Sequence, residues 1–199
     1  ELLLQEQIPL KEYTFNPNIE QVSEEKLPAI SKKKIEQPIH YFSPYTRAPR
    51  TSFISNREYS VMVTLSGSGY SKYNDIFVTR WREDPTIDMY GSYVYVQNLN
   101  SGNIWSVTFK PVNQTGDSYK VTCFPNSILF WRKDGNIITQ TEVFVTPEDP
   151  VEVRKISITN ESQYTRDIQL TTYSEIVLDQ LKADIAHPAF SKLFIQTAY

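Results

Sequence analysis

A period-two alternation of apolar and polar residues runs from about residue 50 almost to the end of the chain and constrains the fold most strongly. Valine, isoleucine, threonine, tyrosine and phenylalanine are enriched in these segments, and turn residues separate them at roughly 8–12-residue spacing. The pair Asp134-Gly135 lies between two such segments, and we expect it to form the centre of a hairpin with positive φ at both residues. About ten strands spaced in this way predict an all-β domain of two packed antiparallel sheets.

The first fifty residues have a different character. Residues 1–8, ELLLQEQI, are predicted to be the end of a helix whose body lies upstream, because leucines are followed by polar residues and then by Pro9. Residues 9–50 contain recurrent prolines and no sustained periodicity, which predicts a linker. Its aromatic end, residues 40–45, is expected to dock on a neighbouring surface.

Residues 51–199 are predicted to be the β-sandwich domain. Residues 165–177 are expected to form one long strand within it. A short helical segment is expected near residues 178–185, and a last strand is expected to begin within residues 187–194.

Composition and charge exclude several classes of function. The formal charge of −3 and the absence of a basic cluster argue against a nucleic-acid partner. No apolar run approaches the roughly 20 residues of a membrane helix, so the separate chain is expected to be soluble. The lone Cys123 excludes an internal disulfide and is expected to be a buried structural thiol. No cofactor motif or metal-ligand cluster is present, and His40 and His187 lack a second ligand at metal-binding spacing.

Residues 67–96 concentrate arginine, carboxylate and aromatic side chains. Such a mixture is suited to hydroxyl-rich ligands or to a partner surface, whereas the alternative is an ion-paired loop. We expect the second arrangement, in which Arg80 and Arg82 hold Glu83, Asp84 or Asp88. A hydrolytic carboxylate pair is disfavoured because nothing in the sequence indicates a raised pKa, and no catalytic residue is predicted. The candidate residues for sugar or interface contacts are Tyr70, Arg80, Trp81, Arg82, Glu83, Asp84, Asp88 and Tyr93.

Several motifs together resemble one known family. They are GYS at residues 69–71, TRWREDPT at 79–86, GSYVY at 91–95, PEDPVEVR at 147–154 and AHPAFSKLF at 186–194. They resemble the N-terminal β-sandwich of the cellobiose and chitobiose phosphorylase family, glycoside hydrolase family 94. The WRED form and the last motif are most similar to the phosphorylase-like part of cyclic β-1,2-glucan synthases.

This resemblance implies a galactose-mutarotase-like supersandwich of the carbohydrate-binding type. It also implies partners: a downstream (α/α)6 barrel that carries the catalytic acid and phosphate site, an upstream glucoamylase-like module, β-1,2-glucan and a homodimer. The fragment itself would be inactive and would support the barrel. The parent enzyme would be an inner-membrane synthase with this domain on the cytoplasmic side. The alternatives are the same domain of a soluble β-1,2-oligoglucan phosphorylase and an autonomous glucan-binding module.

Overall fold

A computed structural model describes residues 37–46, 50–83 and 86–198. The predicted helix end at residues 1–8 and most of the predicted linker lie outside these ranges. Helix α1 (Leu181–Ala186) and a 3-10 turn (Ser191–Leu193) follow the strands. The described strands are β1 (Ile39–Tyr41), β2 (Thr51–Ser55), β3 (Tyr59–Thr64), β4 (Gly69–Tyr73), β5 (Ile76–Thr79), β6 (Tyr93–Asn98), β7 (Ile104–Ser106), β8 (Ser118–Cys123), β9 (Ser127–Asp134), β10 (Ile137–Val145), β11 (Glu152–Asn160), β12 (Ile168–Tyr173) and β13 (Ile176–Asp179).

The described strands form three antiparallel sheets. One five-stranded sheet has the order β1-β8-β9-β10-β11, the other has the order β13-β5-β4-β3-β2, and a three-stranded sheet has the order β12-β6-β7. The predicted all-β class is confirmed, and hydrogen bonding divides the expected two sheets into three. The segment predicted as one strand at residues 165–177 is split, because β12 pairs with β6 whereas β13 pairs with β5.

Two apolar clusters lie between these sheets. The larger cluster contains Val61 and Val63 from β3 together with Val121, Phe130 and Val143 from the facing sheet, all buried. It follows directly from the alternation in β3 and β10, whose inward residues are buried at every second position. The smaller cluster joins the three-stranded sheet to Ile137 of β10, and Ile156, Ile158 and Ile168 pack against it.

The hairpin between β9 and β10 differs by one residue from the prediction. Asp134 pairs with Ile137, so the two loop residues are Gly135 and Asn136. Gly135 has φ +59°, whereas Asn136 keeps a negative φ, which is the pattern of a type II′ turn rather than type I′. Asp134 therefore belongs to the strand, where its carboxylate accepts hydrogen bonds from Arg132 Nε and Nη2 at 2.7 and 2.6 Å.

The aromatic end of the predicted linker is part of the folded domain. Strand β1 pairs with β8 between Ile39 and Cys123 and between Tyr41 and Val121. Tyr45 then packs edge-on against Phe109, with 5.0 Å between ring centroids. The expected docking of this segment is confirmed, and it extends to a strand that the sequence did not indicate.

The C-terminal elements correct two expectations. Residues 178 and 179 belong to β13, so the helix predicted near 178–185 begins at Leu181. No strand forms within the described part of the final motif, since residues 187–194 contain turns and the 3-10 segment Ser191–Leu193. The prediction of a last strand was wrong because Pro188 and the turns around it interrupt the pattern.

Gly69 provides a test of the close pairing between β3 and β4. Its φ is +153°, and an added Cβ would lie 1.8 Å from the carbonyl oxygen of Met62. We expect Gly69→Ala to lower the free energy of unfolding by about 3 kcal/mol or more, because backbone must move to relieve the overlap. Urea denaturation followed by tryptophan fluorescence measures the loss.

Gly102→Ala is the matched control. Gly102 also has a positive φ, +76°, but nothing lies within 4 Å of an added Cβ. Only the backbone penalty of about 1–2 kcal/mol applies there. Equal losses in the two variants would contradict the steric account of Gly69.

Candidate functional site

Arg80 follows β5 and links it to the chain segment after β12. Its backbone N–H donates to the carbonyl of Glu175 at 2.9 Å, which aligns the two segments. The guanidinium is mostly buried, and its Nη1 lies 2.8 Å from Glu175 Oε2. Its Nη2 lies 3.1 Å from Asp184 Oδ1 and donates to the carbonyl of Pro188 at 2.6 Å. One side chain thus joins three positions between residues 175 and 188.

The Asp184 carboxylate of helix α1 forms ion pairs with both arginines of the motif. Its side chain is only 2% exposed. Arg82 Nη1 pairs with Asp184 Oδ2, and Arg82 Nη2 donates to the Asp184 carbonyl at 2.9 Å. A buried carboxylate is costly unless it is paired and hydrogen-bonded, and here each carboxylate oxygen has its own guanidinium. We call Arg80, Arg82, Glu175 and Asp184 the arginine clamp.

The clamp corrects the predicted partners of the two arginines. The expected internal ion pairing is present, but Glu175 and Asp184 supply the carboxylates rather than Glu83 or Asp88. Asp84 lies outside the described residues. The acids next to the arginines in sequence were the wrong choice of partners. Glu175 and Asp184 lie about a hundred residues later, and the pairing of β13 with β5 brings their segment next to Arg80 and Arg82.

Trp81 lies between the two arginines in sequence, and its ring belongs to an aromatic row. Its ring lies 5.5 Å from that of Tyr70, which in turn lies 5.1 Å from Phe77. Both Tyr70 and Trp81 are partly exposed. Burial raises the pKa of the Tyr70 hydroxyl. The alternation of Arg80, Trp81 and Arg82 therefore separates a charged face from an aromatic one.

Asp88 anchors a loop rather than the arginines. Its carboxylate accepts a hydrogen bond from Ser66 Oγ and a longer one from Thr64 Oγ1 at 3.4 Å. Ser68 Oγ donates to the Asp88 carbonyl at 2.5 Å, and Lys110 Nζ donates to the carbonyl of Ile87 at 2.6 Å. These bonds hold residues 86–90 against the turn between β3 and β4.

Tyr93 supports the same loop from the core. Its side chain is buried, and its hydroxyl donates to the carbonyl of Met89 at 2.8 Å and lies 3.3 Å from Ser68 Oγ. Burial raises the pKa of Tyr93 to about 12, against a smaller opposing effect of the Ser68 hydrogen bond. Tyr93 is thus a structural residue of this loop.

The candidate residues are therefore divided among separate clusters. Arg80 and Arg82 meet at Asp184, Trp81 meets Tyr70, and Asp88 and Tyr93 meet near Ser68. Glu83 is exposed and makes no hydrogen bond or ion pair with the described residues. This arrangement stabilises loops and does not assemble a pair of facing carboxylates from Glu83 and Asp88.

His40 of β1 and Cys123 of β8 lie on the pair of strands at one edge of a five-stranded sheet. His40 Nδ1 lies 3.0 Å from Thr122 Oγ1, across the β1–β8 pair. Cys123 is half-buried against the larger core cluster, and this burial raises the pKa of its thiol.

In the ranges that the structure describes, no group of three or more His, Cys, Asp or Glu could hold a metal ion. Among these same residues, no helix is long and apolar enough to cross a membrane.

One family model matches most of this all-β chain. The model for the glycosyl hydrolase 94 supersandwich domain matches residues 36–199. The chain belongs to this family. The match starts just before β1, so the family domain includes the strand that lies within the predicted linker.

The supersandwich domain has relatives among much longer enzymes. It is 33% identical over 154 residues to cyclic β-(1,2)-glucan synthase NdvB of Rhizobium meliloti (strain 1021). The aligned region covers 77% of this chain but only 5% of the synthase. It is 26% identical over 161 residues to N,N′-diacetylchitobiose phosphorylase of Vibrio proteolyticus, covering 78% of this chain and 20% of that protein. A solabiose phosphorylase of Paenibacillus borealis is 32% identical over 90 residues, or 44% of this chain and 11% of its own length. The parent family is thus enzymatic, and the domain spans a small part of its relatives.

Sequence reasoning missed Glu175 and Asp184, the two acids of the arginine clamp. A weak signal for Asp184 was available, since it is the one acid in LKADIA, the sequence of helix α1. Apart from Lys182, the other residues of this short helix are apolar, and an acid among them indicates a buried partner. Which partner it finds depends on tertiary structure and cannot be read from local spacing.

Asp184→Asn tests the arginine clamp. The substitution keeps the shape but removes the negative charge shared by two mostly buried guanidiniums. We expect the free energy of unfolding to fall by about 3–5 kcal/mol, the usual loss when a buried ion pair is broken from one side. Asp75→Asn is the control, because Asp75 is 91% exposed in its ion pair with Lys72. This substitution should lower the free energy of unfolding by at most about 1 kcal/mol. Similar small losses in both variants would contradict the role of Asp184.

Tyr93→Phe tests the effect of burial on the tyrosine pKa. The folded-state pKa of about 12 lies above the ordinary tyrosine pKa of about 10, so the unfolded chain ionises first between these two values. The stability that the neutral buried hydroxyl provides is complete below pH 10 and is lost as the pH rises towards 12. We expect the variant to be less stable at pH 9 and to recover about 2–3 kcal/mol relative to the parent chain by pH 12. Denaturant titrations across this range measure it, and parallel stability curves would contradict it.

Proposed function

We propose that this supersandwich domain is a non-catalytic module of a cyclic β-1,2-glucan synthase and that it supports a helical phosphorylase-like barrel in the same polypeptide. The similarity to the glucan synthase over 77% of the chain supports the choice of parent enzyme. The observation that carries the supporting role is an apolar surface next to the arginine clamp.

This surface consists of large exposed side chains on the last described elements. We call it the C-terminal apolar surface, and its residues are Leu178, Ile185, Phe190, Leu193 and Phe194. Leu193 and Phe194 are 75% and 68% exposed, and the rings of Phe190 and Phe194 pack 5.1 Å apart. Large apolar side chains exposed close together in the chain, as here, mark interaction sites in otherwise soluble domains.

The arginine clamp lies directly behind this surface and fixes it. Arg80 binds Glu175, Asp184 and the carbonyl of Pro188, so residues on both sides of Ile185 are tied to strand β5. A surface that is ordered before binding loses little conformational entropy when a partner docks. The motif residues thereby contribute to docking indirectly, through the position of the C-terminal segment.

A non-catalytic role agrees with the chemistry of the described acids. The carboxylates of Glu175 and Asp184 are neutralised by arginines, and that of Asp88 accepts hydroxyl hydrogen bonds. None of the three is left to act as a general acid beside a second carboxylate. The catalytic acid and the phosphate site are assigned to the barrel.

The wider assembly is part of the same proposal. A glucoamylase-like module precedes the domain, the domain contributes to a homodimer, and the parent synthase places it on the cytoplasmic side of the inner membrane. A soluble β-1,2-oligoglucan phosphorylase is the second candidate parent, because a disaccharide phosphorylase is 26% identical over 78% of the chain. Glycosyltransferase and membrane segments encoded upstream favour the synthase, and their absence favours the phosphorylase.

Co-expression with the barrel encoded by the same gene tests the supporting role. We expect the chain to co-purify with the barrel, and Ile185→Lys combined with Leu193→Lys to weaken the association at least roughly tenfold, because two charges must then be buried. Phe53→Lys is the control, since Phe53 is similarly exposed but lies on β2. The chain alone should release no sugar from linear β-1,2-glucan, with or without phosphate.

Two results would overturn the proposal. Association that is absent in the parent chain, or equal in all variants, rules out docking through the C-terminal apolar surface. Sugar release by the purified chain rules out the non-catalytic assignment. All variants alter exposed side chains, so unchanged thermal unfolding separates a lost interface from a lost fold.

A further inference from the structure

A polar cavity of about 580 Å³ opens between three loops of the domain. The loops are the β6–β7 connection, the segment before β8 and the β9–β10 hairpin, and Arg166 lines another side. The volume lies within the range of small-ligand sites. Its polar lining includes Asn103, Gln114, Asp117, Asn136 and Arg166, and Trp105, Ile104 and Ile137 supply apolar surface.

A buried guanidinium holds the walls of this cavity in place. Arg132 is 0% exposed and binds the Asp134 carboxylate through two nitrogens. Its Nη1 also donates to the carbonyls of Thr108 and Gln114 at 2.9 and 3.0 Å. The Asp117 carboxylate accepts the backbone N–H of Gly135 at 2.7 Å, which joins the second loop to the hairpin. The cavity is thus preformed by bonds that leave its inward polar groups available.

Four polar side chains of the lining, three of them exposed amides, have no hydrogen-bond partner among the described residues. The side-chain amides of Asn103, Gln114 and Asn136 make no hydrogen bond with any described residue, although the backbones of all three are bonded. The guanidinium of Arg166 makes no ion pair in the described ranges and lies 6.0 Å from the Tyr164 ring. Buried polar groups usually find partners, and Trp105 Nε1, which is buried, has none among the described atoms. The exposed amides and the Arg166 guanidinium are therefore available to a ligand that displaces water from them.

The charges around the cavity favour a neutral ligand. Asp134 is neutralised by Arg132, and the single charges of Arg166 and Asp117 balance. An anion attracted by Arg166 would also meet the Asp117 carboxylate, and a hard cation lacks the grouped oxygen ligands that it requires. Each amide can both donate and accept, which suits adjacent hydroxyl groups.

We propose that this cavity binds a short segment of a neutral oligosaccharide through Asn103, Gln114, Asn136 and Arg166. The site lies apart from the C-terminal apolar surface, so binding there goes beyond the supporting role and does not depend on it. The choice of a β-1,2-linked glucan as the ligand class rests on the proposed function. The cavity would hold a glucan chain on the domain while a different module acts on it.

Titration of the full chain with β-1,2-linked glucotriose tests this site by calorimetry and saturation-transfer NMR. We expect saturable binding at millimolar concentration, with no competition from inorganic phosphate. Gln114→Ala combined with Asn136→Ala should weaken binding roughly tenfold, as expected for two neutral hydrogen bonds. Arg166→Ala is a second, independent variant with an expected loss of severalfold or more.

Gln169→Ala is the matched control for the amides. Gln169 is exposed on β12, does not line the cavity and makes no side-chain hydrogen bond with the described residues. The Gln169→Ala variant should bind the β-1,2-linked trisaccharide with the affinity of the parent chain. All variants should keep the unfolding temperature of the parent chain. Cellotriose in place of the β-1,2-linked trisaccharide separates the linkage preference from the site itself.

The result that overturns the site is absence of saturable binding by either trisaccharide, or full-strength binding in both cavity variants. Displacement by phosphate would show an anion site instead. Equal binding of cellotriose would leave the site and remove the β-1,2 assignment. Loss of barrel association in the earlier experiment would leave all these outcomes unchanged, so the two proposals fail separately.

Discussion

The burial of one carboxylate, that of Asp184, determines how the C-terminal part of the domain is held. A negative charge at this depth is stable only because two guanidiniums replace its water, and both arginines lie on one short segment after β5. Glu175 balances the second positive charge. This pairing favours one position of helix α1, since a shifted helix would leave Asp184 and Arg82 unpaired. These ion pairs thus fix helix α1 relative to the segment after β5.

The sequence predicted the properties that arise from local periodicity. Alternation in residues 59–65 and 137–145 identified buried strands, because a half-buried sheet imposes period two directly. The division at residues 174–175 was not visible, since both flanking segments have strand character and only their different partners, β6 and β5, separate them. The hairpin at Gly135 was found but misplaced by one residue, because Asp134 is held in the strand by Arg132.

The candidate site was harder to predict than the fold for a similar reason. Residues 67–96 contain most of the unusual side chains, yet the acids that bind the arginines lie elsewhere: Arg80 binds Glu175 and Asp184, which are 95 and 104 residues away in the chain. The cavity near Arg132 gave no signal at all, because asparagine, glycine and aspartate are the ordinary residues of turns. Only their convergence in space, with side chains left without partners, distinguishes them from a set of unrelated loops.

The short connection between β12 and β13 has a mechanical consequence. Two residues separate a strand of the three-stranded sheet from a strand of a five-stranded sheet, and Glu175 in that connection is bonded to Arg80 through both backbone and side chain. Tension applied to helix α1 therefore acts first on β13 and on the Arg80 contacts, both of which join the sheet of β5, before it reaches β12. Extending this end of the chain requires several hydrogen bonds and ion pairs to break together in shear, so a moving neighbour would rotate the domain as a rigid body before it unravelled the C-terminal strands.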